Sequence, residues 1–253
     1  MHRPRPVVMV GLALLVASCG GGSSAPSGSA SATSVSAPSS AAGRPISFTA
    51  TDGVRLAGKL YGSGGTAVVL SNMGDNDSAR WEGFAPQLAD RGYLVLTYSY
   101  RYPMNSSDFS GAIANSTVAD LRGAVAHVRA AGATRLVLIG ASLGGMATAK
   151  AAAVERSAAE VVLSAPLDLD DYGFHVTRAE LGTTQPKLFL GSTNDTTVPF
   201  AHTEQMHALA AQPKELHGYA DTAHGLHLLD GEHAADLTKR LIDFLLAKAP
   251  PTP

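Results

Sequence analysis

Ser142, Asp195 and His224 are the residues of this chain whose types and order could carry out acyl chemistry. Ser142 sits in Gly140-Ala141-Ser142-Leu143-Gly144-Gly145, between the apolar run 135–139 and the Ala-rich stretch 146–154. A strand, a sharp Gly-flanked turn carrying one Ser, and then a helix is the setting in which G-x-S-x-G becomes a nucleophile elbow. The turn lifts the hydroxyl above the sheet, and the helix that follows aims free N–H groups at any anion forming beside it. With 26 Gly in 253 residues, a chance match is roughly a one-in-four event, so context must carry the argument. Asp195 lies in 191–199, past a predicted strand and before a Pro-led helix. His224 lies in 221–225, past the last predicted strand. A Ser hydroxyl is a weak nucleophile until an imidazole takes its proton. His224 is expected to do so, with Asp195 holding the imidazole tautomer and stabilising the imidazolium. The oxyanion needs two preorganised donors, expected from the backbone N–H of Leu143 and of Met73.

Competing readings exist for several of these residues. Asp195 could merely cap the helix after Pro199, and Asp168, Asp170 and Asp171 are reserve candidates for the acid. His202 and His207 fall in a predicted surface helix, and His217 lies within a strand. His224 and His227 are three apart, but no third ligand stands at matched spacing, so no metal and no cofactor is expected. Asp120 and Arg122 read as a capped helix face. Trp81, Phe84 and Leu88 recur at helical spacing, which points to core packing.

The elements that must position the candidates follow from the apolar pattern. Residues 46–50 and 54–61 read as antiparallel strands joined by a turn. Residues 66–71, 93–98, 135–140, 161–164, 187–191 and 214–219 are further strands. Most are short apolar runs without polar alternation, as in parallel strands buried on both faces. Helices are expected at 118–130, with Thr117-x-x-Asp120 as a capping box, and at 232–246, burying Leu237, Leu241 and Phe244. The alternation predicts an α/β fold, a mostly parallel sheet of about eight strands covered by helices on both faces. Only 22 residues, 165–186, separate two central strands, which leaves room for a short helix and loops and little or no lid.

Residues 1–18 carry Arg3 and Arg5 ahead of an apolar run, as a signal peptide does. The ending Val16-Ala17-Ser18-Cys19 resembles a bacterial lipobox, whose Cys is lipidated; Cys19 is the only cysteine, so no intramolecular disulfide can form. Acylation of Cys19 would hold the protein at a membrane. Residues 19–43 are almost entirely Gly, Ser, Ala, Pro and Thr, a flexible linker reaching on the order of 27 Å. One domain is expected over 44–249, with 250–253 as a tail. Removing the leader shifts the formal charge from −2 to −4, which favours neither nucleic acid nor an electrostatic grip on anionic lipid.

From residue 46 to 246 the chain resembles α/β-hydrolases, of the compact branch similar to dienelactone hydrolases and small serine esterases. G-A-S-L-G-G at the elbow, N-D-T-T-V-P at the acid turn and A-H-G at the base turn carry the resemblance. It implies the α/β-hydrolase fold and a serine hydrolase working through an acyl-enzyme on carboxylic esters. Dienelactone hydrolases proper use a Cys nucleophile, where this chain has Ser142. Relatives often have a His-Gly pair in the loop after the third strand, where this chain has Asn72. The expected reading is an exported, membrane-tethered carboxylesterase acting on a small-molecule acyl substrate. Acyl transfer or peptide cleavage by the same triad, and ligand binding without turnover, are the alternatives. The sequence leaves the oligomeric state open.

Overall fold

A computed structural model describes residues 42–253 apart from 105, 106 and 108. The expected signal peptide, Cys19 and the linker as far as residue 41 lie outside the described residues. In chain order the elements are β1 (Arg44–Thr49), β2 (Arg55–Tyr61), β3 (Thr66–Ser71), α1 (Ala85–Ala89), β4 (Leu94–Tyr98), α2 (Gly111–Ala130), β5 (Arg135–Ala141), α3 (Leu143–Glu155), β6 (Ala159–Leu163), β7 (Asp168–Leu169), β8 (Phe174–His175), α4 (Arg178–Leu181), β9 (Lys187–Ser192), α5 (Phe200–Leu209), β10 (Lys214–Tyr219) and α6 (Ala234–Lys248). Short 3-10 turns occur at Ser78–Trp81, Asp170–Tyr172 and Gly225–Leu229. Eight strands form one sheet in the order β1-β2-β4-β3-β5-β6-β9-β10. Strand β2 runs antiparallel to β1 and β4, and every later neighbour pair is parallel.

The central strands are mostly apolar because both faces are covered: every residue of β3, β4, β6 and β9 is buried. Their side chains alternate between two cores, as the two-residue strand period requires. Val69, Leu96 and Leu138 pack with Leu121 and Val125 of α2 and Met146 of α3. Val68, Val95 and Ile139 pack with Trp81, Leu88 and Leu241. Leu237, Leu241 and Phe244 of α6 are buried as their spacing predicts.

Several local expectations need correction. Helix α2 starts seven residues before the expected position, at Gly111, where the Ser110 side chain accepts from Ile113 N at 3.3 Å. Apart from Ile113, residues 111–117 are small or polar, so their helical period carries little apolar signal. The Thr117-x-x-Asp120 capping box does not form: Thr117 is buried in mid-helix and donates to Ala114 O, and Asp120 pairs with Arg101. Trp81, Phe84 and Leu88 are buried, but a 3-10 turn and the five-residue α1 present them rather than one helix. The insert 165–186 holds the β7–β8 ladder as well as the short helix α4, whose capping box joins Thr177 and Glu180. Residues 250–252 do not trail away as a tail. Gly65 N donates to Thr252 O at 2.8 Å, and Thr66 Oγ1 donates to Pro250 O at 2.9 Å, so they extend the domain beneath β3.

Candidate active site

Strand β5 runs into α3 with a single residue between them, Ser142, at φ 52° and ψ −122°. A non-glycine residue takes a positive φ there only when its surroundings force it, and such strain concentrates at functional sites. The close approach of three segments supplies the force. A Cβ on Gly140 would stand 2.1 Å from Gly144 O, and one on Gly144 would stand 2.2 Å from Asn72 O. Both positions are closed to any side chain, and the turn is locked between β3 and α3. Ser142 N donates to Leu163 O at 2.8 Å, which fixes the turn against β6. The first intrahelical bonds, to Ser142 O, come from Gly145 and Met146. The N–H groups of Leu143 and Gly144 therefore have no helical acceptor, as in any first turn. Ser142 Oγ makes no hydrogen bond among the described residues.

Asp195 follows β9 in a turn that consumes one carboxylate oxygen: Oδ1 accepts from Thr197 N at 2.8 Å and Val198 N at 3.0 Å. The other oxygen, Oδ2, lies 2.7 Å from His224 Nδ1. The carboxylate is buried, with 1% of its side chain exposed, and the imidazole is 13% exposed. An ionised carboxylate accepts only, so His224 donates from Nδ1 and its Nε2 is left as the acceptor. Just past His224 the chain meets the segments around the Ser142 turn. A Cβ on Gly225, which adopts φ 55°, would lie 3.6 Å from Ala141 Cβ and 2.6 Å from Met73 Sδ. Leu226 N also donates to that sulfur at 3.3 Å. The loop after β10 thus crosses the top of the sheet to the foot of the Ser142 turn. Sequence spacing alone cannot show this return.

The loop after β3 is held by asparagines and tyrosines. Asn72 is fully buried; its Nδ2 donates to Tyr98 O at 2.7 Å, and its carbonyl accepts from Tyr100 OH at 2.9 Å. Asn76, at φ 60°, takes Tyr100 N on Oδ1 at 2.7 Å and donates to Tyr102 O at 2.6 Å. Burial pushes the Tyr100 hydroxyl well above the ordinary phenol range, so it remains a donor. Met73 lies between these anchors, its N–H on the same loop that touches Gly144 through Asn72 O. Arg101 secures the supporting segment, donating to Asp120 and, at 2.6 and 2.8 Å, to both oxygens of Asp52. The role of Asn76 was not evident from sequence; its one signal is an Asn at a loop position that favours positive φ.

Ser142 and Leu143 open onto a cleft of about 570 Å³. Its walls come from Gly74, from Phe109 before α2, from the insert 165–186, and from 197–202. Phe109 and Tyr172 meet edge to face, with centroids 5.0 Å apart. The reserve acids Asp168, Asp170 and Asp171 line this cleft, but the carboxylate on His224 belongs to Asp195. His202 also lines the cleft and so is not the surface residue expected from sequence; Leu167 N donates to its Nδ1 at 3.1 Å. His227 turns its Nδ1 to Arg80, 3.3 Å away, and no cluster of His, Cys, Asp or Glu among the described residues is arranged to hold a metal.

No protein-family model and no curated protein matches the sequence. Solved structures match its fold. The esterase Pf2001 of Pyrococcus furiosus superposes with a TM-score of 0.68 at 17% identity, over 82% of this chain and 93% of that one. The α/β-hydrolase GrgF of a Penicillium species does so with a TM-score of 0.66 at 18% identity, over 81% and 98%. The acylaminoacyl peptidase of Pyrococcus horikoshii gives 0.68 at 15% identity, over 82% of this chain and 42% of the peptidase. With its eight-stranded, mostly parallel sheet, the chain has the α/β-hydrolase fold.

Proposed function

We propose that this chain is a serine hydrolase that cleaves carboxylic esters through an acyl-enzyme on Ser142. The observation that carries the reading is the strained Ser142 at the head of α3, opening onto a cleft, with the Asp195–His224 pair reaching back to the same turn. Ser142 Oγ attacks the ester carbon while His224 Nε2 takes its proton. The carbonyl oxygen becomes an oxyanion beside the N–H groups of Leu143 and Met73. As the carbonyl re-forms, the C–O bond to the alcohol breaks, and His224 returns the proton to the departing oxygen. Water then enters by the same route in reverse and releases the acid. Asp195 holds the proton of the resting imidazole on Nδ1 and steadies the imidazolium.

The shallow insert favours a small, accessible acyl substrate, with no nucleic-acid partner. Export and attachment to a membrane through a lipid on Cys19 complete the proposal. A fluorophosphonate probe is expected to label the full-length protein, with labelling lost in Ser142→Ala and p-nitrophenyl ester hydrolysis lost with it. A folded protein that takes up no probe would overturn the hydrolase reading. Retention of the protein in a detergent-soluble membrane fraction, lost in Cys19→Ala, tests the tether. The fold likeness to an acylaminoacyl peptidase favours peptide cleavage as a second reading, and turnover of acyl-peptide amides faster than of matched esters would select it.

A further inference from the structure

The two histidines joined to the cleft and its turn carry their protons on opposite nitrogens. At His224, the carboxylate partner makes Nδ1 the donor. At His202, the partner is the backbone N–H of Leu167, 3.1 Å from Nδ1. A backbone N–H can only donate, so this Nδ1 is the acceptor and the neutral ring carries its proton on Nε2. His202 stands in the first turn of α5, directly after the segment whose N–H groups hold Asp195. Leu167 heads the β7–β8 ladder, where Val176 N donates to Leu167 O at 2.9 Å. The imidazole therefore pins the base of the wall formed by Pro166 and 168–172. Nε2–H is the ring's remaining polar group, and it has no partner among the described residues.

We infer that His202 is a specificity-determining residue, which fixes the cleft wall through Nδ1 and offers Nε2–H to a neutral oxygen of the substrate outside the scissile ester. This rests on the reading of Ser142 as the nucleophile. The rest of the cleft selects the chemistry of the ligand. Leu143, Leu169, Val198 and Phe109 suit a carbon chain, while Asp168, Asp170 and Asp171 disfavour an anionic acceptor. An ether, hydroxyl or second carbonyl oxygen on an acyl chain meets both conditions.

The test uses p-nitrophenyl hexanoate and its analogues in which an ether oxygen replaces the C3, C4 or C5 methylene in turn. Wild type is expected to show a lower KM for one oxygen position than for hexanoate. A neutral hydrogen bond supports a difference of about fivefold. In His202→Asn, whose Oδ1 can still accept from Leu167 N–H, that KM ratio collapses to one while the kcat ratio stays put. In His202→Gln, whose amide reaches toward the Nε2 position, it returns in part. Equal KM ratios at every oxygen position in wild type and both variants would overturn the inference. A second readout needs no turnover. In full-length Ser142→Ala protein, long-range 1H–15N NMR should show His202 Nδ1 unprotonated, and its Nε2–H signal should move with one of the oxygen-bearing methyl esters and not with methyl hexanoate. A silent Nε2–H signal alongside fluorophosphonate-reactive Ser142 sinks the His202 role alone. A responsive signal alongside inert Ser142 sinks the hydrolase reading and leaves the binding role standing.

Discussion

At Asp195 the two carboxylate oxygens have separate duties. One organises the turn through the N–H groups of Thr197 and Val198, and the other faces His224. Asp195→Asn can keep the first duty, because an amide oxygen accepts the same two bonds. It reverses the second, since an amide N–H facing Nδ1 favours the wrong imidazole tautomer. The expected result is a fall in kcat on the order of 10⁴ with little change in thermal stability. Steady-state kinetics beside a melting curve checks it, and a variant with near-normal kcat would show that Asp195 is only a turn residue. Asp168 offers no such division of labour: it lines the cleft, and Asp195 is the acid bonded to the imidazole.

At the scale of elements, the sheet's lower edge holds a buried Glu–Lys pair far from the cleft's chemistry. Glu160, second in β6, stands opposite Lys187 of β9, with Nζ 3.9 Å from Oε1 and both side chains fully buried. Lys187 Nζ donates to the carbonyls of Thr183 and Gln185, whereas Glu160 Oε2 has no partner among the described residues. Burial pushes the Glu160 carboxyl up to about 8 and pulls the Lys187 amine down. With the carboxyl raised, the native state keeps a proton that the unfolded chain releases near pH 4.3. That stabilisation is complete below the unfolded value and is lost as pH rises toward about 8. Glu160→Gln keeps the shape and removes the ionisation. Its stability relative to wild type should improve by up to about 1.4 kcal/mol per pH unit across that window. Urea unfolding at pH 5 and pH 8 measures this; parallel pH curves for the two proteins would count against it.

At the scale of the whole molecule, what the sequence revealed and what it concealed divide along one line. Features written in local chemistry were legible: the apolar strands, the Gly-flanked Ser142 turn, and the placement of Asp195 and His224 past later strand ends. Features made by contacts between distant segments, or by local elements without an apolar period, were not. The start of α2 depends on a Ser110 cap ahead of residues with no apolar period. His202 reads as a surface residue until Leu167, 35 positions earlier, donates to it. Residues 250–252 look like a loose end until Gly65 and Thr66 bond to them. The β7–β8 ladder is two residues per strand, too short for any alternation to register.

If Ser142 is the nucleophile proposed above, its dihedral angles set the molecule's thermal tolerance against its reactivity. A side chain held at φ 52° withdraws about 1–3 kcal/mol from folding. Ser142→Gly releases that strain, less the roughly 0.5–1 kcal/mol that glycine's freedom in the unfolded chain takes back. The variant should therefore melt a few degrees higher than wild type while losing all hydrolysis, at about 2–4 °C per kcal/mol for a domain of this size. A lower melting temperature would mean that the turn stores less strain than glycine's freedom takes back. A higher one means that any selection of this chain for heat resistance alone would drift toward silencing it.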